Sequence, residues 1–148
     1  AKAWQQKVLA VDSKDPEAYY TIGVIDWNKA RKNSLDFLAA NGLTEKQAAD
    51  GAIPKKECPK LAALNGPLVE EALDSLHKAI ELRPSYEDAM AYINLAYRRK
   101  AEIECGNDDA RKADIQQAQD WIQKALGARK ANVEKANQAT KPGVDTSK

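Results

Sequence analysis

Histidine, cysteine, glycine and long apolar runs are all scarce in this sequence, and each scarcity removes a class of protein. One histidine and two cysteines, with no Cys-x-x-Cys, are too few for a four-ligand zinc site. No Gly-x-Ser-x-Gly, phosphate-cradling glycine loop, His-Glu-x-x-His or dinucleotide fingerprint occurs, so no residue pattern points to an enzyme, a metal or a cofactor. No apolar stretch approaches the roughly 18 residues that cross a bilayer. Lys+Arg number 23 and Asp+Glu 22, which leaves no global field to attract nucleic acid or an anionic membrane. β-Branched residues are too few for a sheet. What is abundant is alanine, leucine, lysine, glutamate and glutamine, which favours an all-α fold. A chain of 148 residues fits one domain with a real core. Ala1 already sits inside a helical pattern, and the chain is read as a fragment or processed form whose targeting information has been removed.

The organising stretch runs from Glu71 to Arg99. Apolar residues recur at Ala72, Leu76, Ala79 and Ile80, and again at Ala89, Ile93, Ala96 and Tyr97, which is helical spacing. Pro84 separates the two helices, and Ser85 with Asp88 predicts a capping box for the second. The segment around Lys78 has counterparts elsewhere. QKVLAVDSKDPEAYYTIG matches HKAIELRPSYEDAMAYIN at an offset of 71 residues, pairing Lys7 with Lys78 and Ile22 with Ile93. QDWIQKALGARK places Trp121, Lys124 and Ala125 where Trp4, Lys7 and Val8 stand. Such self-similarity marks stacked repeats.

Two motifs narrow the repeat type. Tyr19-x-x-Ile22-Gly23-x-x-Asp26 and Met90-x-x-Ile93-Asn94-x-x-Tyr97 open first helices. Ala72-x-x-x-Leu76 with Ala79 and Pro84, and Ala118-x-x-x-Ile122 with Ala125, fill second helices. The chain thereby resembles the tetratricopeptide (TPR) repeat family, as a divergent member. The resemblance implies an antiparallel helix-hairpin solenoid, with Gly23 where two helices approach closely. Tyr19 and Ala72 are 53 residues apart, and Met90 and Ala118 are 28 apart, against about 16 in an uninterrupted repeat. Both repeats therefore carry insertions at their internal turns, and the insertions should be neighbours along one edge of the stack.

The first insertion, about residues 33–66, is expected to be partly helical. The helix from Pro16 should run to Asn41-Gly42. Thr44 and Gln47 should cap a short helix ending near Gly51. A loop with Pro54 and Pro59 follows, a further turn spans 60–64, and Asn65-Gly66-Pro67 should open the next helix. The second repeat's first helix should overrun to Cys105-Gly106, with the last helix starting at Asn107 or Asp108. Residues 1–139 form the expected domain, and 140–148 a disordered tail. The expected core comprises Tyr19, Ile22, Leu73, Leu76, Ile80, Ile93, Tyr97, Ile115, Ile122 and Ala125.

Function then follows from the resemblance. It implies a concave face lined by Tyr20, Val24, Trp27, Ala91, Tyr92, Leu95 and Arg98, on which another protein or peptide binds without chemistry. Aromatic and arginine side chains also favour interface anchoring. The competing arrangement has the insertion, with Leu35, Phe37, Leu38 and Leu43, folded over these residues, giving a ligand- or peptide-capturing accessory domain. The lysine/asparagine clamp with which some TPR domains hold a terminal carboxylate does not occur on these helices. Asp26 replaces an expected large aromatic and needs a cation, for which Arg98, Arg99 and His77 are candidates. His77 itself is read as a packing or surface residue. Cys58 and Cys105, one per insertion, are either a disulfide or two separate thiols. A disulfide would imply export, to a bacterial periplasm or cell surface. Partner identity and oligomeric state are not encoded in any motif.

Overall fold

A computed structural model describes residues 1–140, and the expected tail from 141 to 148 lies outside them. The described residues form six helices and no strands: α1 (Lys2–Val11), α2 (Pro16–Ala40), α3 (Glu45–Ala49), α4 (Cys58–Leu82), α5 (Glu87–Ala101) and α6 (Asp108–Thr140). Thr140, expected to begin the tail, is the last residue of α6. Each long helix packs on the next long one in chain order, and α2 also touches α5. Gly23 of α2 meets Leu76 of α4, while Asn33, further along α2, bonds Asn65, so these two helices run antiparallel. Lys100 with Asp114, and Glu87 with Asn132, show the same for α5 and α6.

Local signals set several helix ends. Asp15 accepts from the amides of Glu17 and Ala18, and Pro16 occupies the first turn of α2. Thr44 and Gln47 form the expected reciprocal capping box of α3. Ser85 forms none. α5 starts after Tyr86 with no side-chain cap, and Asn132 of α6 instead donates to the Ser85 carbonyl and the Glu87 carboxylate.

The break expected at Asn65-Gly66-Pro67 is absent, because α4 runs unbroken through Pro67. Pro67 and Ala63, whose carbonyl loses its helical donor, both lie on the exposed side, where water can replace that bond. On the opposite side Leu61, Asn65, Val69 and Leu76 are buried and hold the helix together. α5 stops at Ala101 rather than reaching Cys105. Cys105 and Gly106 both take positive φ, of 52° and 88°, which reverses the chain before α6.

The core is the junction of α2, α4 and α5. Ala30, Val69, Leu73, Leu76, Ala79, Ala89, Ile93 and Ala96 form its buried cluster, with Tyr19, Ile80 and Tyr97 half-buried against it. Ile22 and Ala125 are also buried, while Ile115 and Ile122 are only half-buried. A Cβ on Gly23 would stand 2.6 Å from Leu76 Cγ, so glycine permits this close approach.

Candidate interaction surface

An unbroken line of rings runs across the adjoining parts of α2 and α5. Tyr20 stacks on Tyr86 with centroids 5.0 Å apart, and meets Tyr92 edge-on at 5.8 Å. Tyr92 in turn meets Trp27 edge-on at 5.3 Å. Cations close both ends: the Arg83 guanidinium lies 4.6 Å from the Tyr86 ring, and that of Arg31 lies 6.0 Å from Trp27. Helical spacing builds half of this line, since Tyr20, Trp27 and Arg31 recur on one side of α2. Tyr86 is contributed by the lead-in to α5 and Tyr92 by its second turn. All four rings are half-buried. Burial, reinforced by Tyr92, pushes the Tyr20 hydroxyl up to about 12, and burial raises Tyr86 as well, so both stay neutral hydrogen-bonding groups. The Trp27 indole N–H has no acceptor among the described residues.

Of the expected binding residues, Tyr20, Trp27 and Tyr92 thus come together. Val24 and Leu95 are half-buried on the same two helices. Arg98 goes elsewhere: its Nε donates to Asn94, and it borders two adjacent hollows of about 310 and 340 Å³ that also share Ala49, the last residue of α3. Tyr86, Arg83 and Arg31 have no place in the sequence reading. The first two flank a proline turn, where helical periodicity assigns no face.

The insertion anchors at the α5–α6 turn. Arg99 bonds Glu45 of α3 at 2.7 Å and Glu102 at 3.1 Å, and Arg111 donates to the Ala49 carbonyl at 2.7 Å. Glu102 also accepts from Ser34, which accepts from Asn65, and Asn65 donates to the Ala30 carbonyl. Burial raises the Glu102 pKa, opposed by Arg99 and Ser34. Cys58, the first residue of α4, is bridged to Cys105 with Cα atoms 5.4 Å apart. The segments that carry the two cysteines are therefore neighbours.

Asp26 is fully buried, and its cation is Lys2 of α1, at 2.8 Å. Arg98, Arg99 and His77 do not serve. The two arginines are engaged as described, and His77 sits edge-on to Trp121 at 5.3 Å, where burial lowers its pKa. At the 71-residue offset Lys2 stands where Leu73 does, and Asp26 where Tyr97 does. Lys2 also reaches Glu71 at 2.5 Å. Burial pushes Asp26 up to about 6, against the pull of Lys2 and with help from Glu71.

No protein-family model, curated protein or solved structure matches the chain.

Proposed function

We propose that this chain is a TPR-like, non-enzymatic interaction module that binds a protein or peptide segment along the line Tyr86–Tyr20–Tyr92–Trp27. The observation carrying this reading is that continuous line of half-buried rings, ended by two arginines. Rigid aromatic area is the commonest anchor of protein interfaces. The repeat motifs, the antiparallel helix pairs and the close approach at Gly23 support the TPR-like solenoid. The Cys58–Cys105 bridge supports export to an oxidising compartment.

A displayed random-peptide library, selected on the whole chain, tests the reading. Selected peptides should lose about 1–2 kcal/mol or more of affinity on Trp27→Ala or Tyr92→Ala. Unchanged binding by both variants, with wild-type circular dichroism, would exclude this surface. The hollows beside α3 that share Arg98 favour a second reading, a ligand-capturing cleft closed by the insertion. Loss of binding on Arg98→Ala alone would select it.

A further inference from the structure

Two runs of basic residues flank the α5–α6 turn: Arg98-Arg99-Lys100 in the last turn of α5, and Arg111-Lys112 near the start of α6. Most of these cations are engaged. Arg99 pairs with Glu45 and Glu102, and Lys100 with Asp114 and Glu104. Arg111 donates to the Ala49 carbonyl and lies 3.6 Å from Asp108. Arg98 and Lys112 are the exceptions. Both are exposed, and neither forms an ion pair among the described residues. The Arg98 guanidinium is held through its Nε, which donates to Asn94, and its terminal nitrogens have no acceptor among the described residues. These two cations, from different helices, border the same hollow of about 340 Å³. Arg111, Ile115 and Gln119 line it from α6, and Ala49 and Asp50 from the end of α3. Asp50 is its one carboxylate, and that already pairs with Lys46 at 3.1 Å. The chain as a whole is near charge balance, with 23 Lys+Arg against 22 Asp+Glu, so this positive character is local.

We propose that this hollow binds a carboxylate carried on a short apolar stem, as an acidic side chain of a peptide or as a small free acid. The proposal rests on the cleft reading above and names the chemistry of its ligand. A planar carboxylate matches two parallel N–H donors of one guanidinium, and the terminal nitrogens of Arg98 are free to supply them. Lys112 adds a second positive charge, and the Gln119 amide a neutral donor. Ile115 and Ala49 give the stem an apolar wall, and the volume suits a small ligand. The α3 wall is in place before any ligand arrives. Glu45 is tied to Arg99, and the Ala49 carbonyl to Arg111, so binding orders little of the chain. Inorganic phosphate suits the hollow less, because it has no stem for that wall and Asp50 repels a dianion more than a monoanion.

The probes are pentanoate and the blocked tripeptide acetyl-Ala-Glu-Ala-amide. Each is titrated into the whole chain beside its neutral isostere, pentanamide or the glutamine tripeptide. Binding is followed by NMR at the Arg98 Nε–H and the Gln119 amide. Saturable shifts are expected with the acids, with binding at least tenfold weaker for the amides and for inorganic phosphate. Arg98→Gln and Lys112→Glu should each weaken the acids at least tenfold. Trp27→Ala should change nothing, nor should Lys7→Glu, an equal charge reversal on an exposed residue of α1. Tighter binding of the tripeptide assigns the hollow to peptide side chains, and tighter binding of pentanoate to small acids; both support the proposal. Equal binding of acid and amide would overturn it while leaving the cleft. Equal binding of inorganic phosphate, or a loss on Lys7→Glu as large as on Lys112→Glu, would overturn it as well. So would the absence of saturable shifts with both acids, whereas failure of the cleft reading is seen separately, in selected peptides that Arg98→Ala does not affect.

Discussion

Gly23 shows how one missing methyl group sets a distance between helices. Replacing it by alanine should raise helix propensity by about 1 kcal/mol, yet the new Cβ would press on Leu76, which is fully buried and cannot move aside. Overpacking of this kind costs roughly 1–3 kcal/mol, so Gly23→Ala should lower the denaturation midpoint; an unchanged or raised midpoint would show that the α2–α4 contact yields. Asp26 makes a prediction in pH. Its folded pKa of about 6 lies above the ordinary 3.8, so the fold favours the protonated carboxyl. The stability this confers is complete below about pH 4 and is lost as pH rises through 6. Glu71, held below its ordinary value mainly by Lys2, acts in the opposite sense at lower pH. Asp26→Asn, with no charge to bury, should remove the decline between pH 4 and 6, worth on the order of 2–3 kcal/mol. Urea titrations at intervals across that range would show it.

At the scale of elements, α4 carries a proline in its interior and a cystine at its first turn. Pro67→Ala restores a helical hydrogen bond on an exposed side. The gain of up to about 3 kcal/mol is offset by a more flexible unfolded chain, leaving roughly 1–2 kcal/mol of stabilisation. A lower melting temperature for Pro67→Ala would mean that the proline shapes the helix usefully. The Cys58–Cys105 bridge closes a separation of 47 residues, for which loop entropy predicts about 4 kcal/mol. Reduction should therefore lower the melting temperature sharply. Protection from hydrogen exchange should fall first around α3 and the α5–α6 turn. Uniform loss across all helices would show instead that the bridge supports the whole fold at once.

For the molecule as a whole, the junction of three helices governs cooperativity. Leu76→Ala, at a site with no exposed surface, should cost about 2–5 kcal/mol, and α2, α4 and α5 should then melt together. Much of that junction is legible in the sequence. Leu76, Ala79, Ile93 and Ala96 repeat with the helical period, and a repeated offset ties their helices to one another. The capping box at Thr44 and the stop at Asn41-Gly42 are equally local, which is why they are read correctly. Ser85 and Pro67 mislead for the same reason. Local chemistry predicts a cap and a break, but α5 starts after Tyr86 with no side-chain cap, and the buried side of α4 carries the helix through its proline.

The candidate surface divides along the same line. Sequence alone determines that the chain is helical, that its pattern recurs, and that Tyr20 and Trp27 share one helix while Tyr92 lies on another. Only tertiary structure decides which rings touch, that Tyr86 joins them, and that Arg98 turns toward α3. It also decides that Lys2, not an arginine, neutralises Asp26. The physical reason is range. Periodicity and capping act over one or two helical turns, whereas ring stacking, buried ion pairs and the Cys58–Cys105 bridge depend on residues that meet only after the helices have packed.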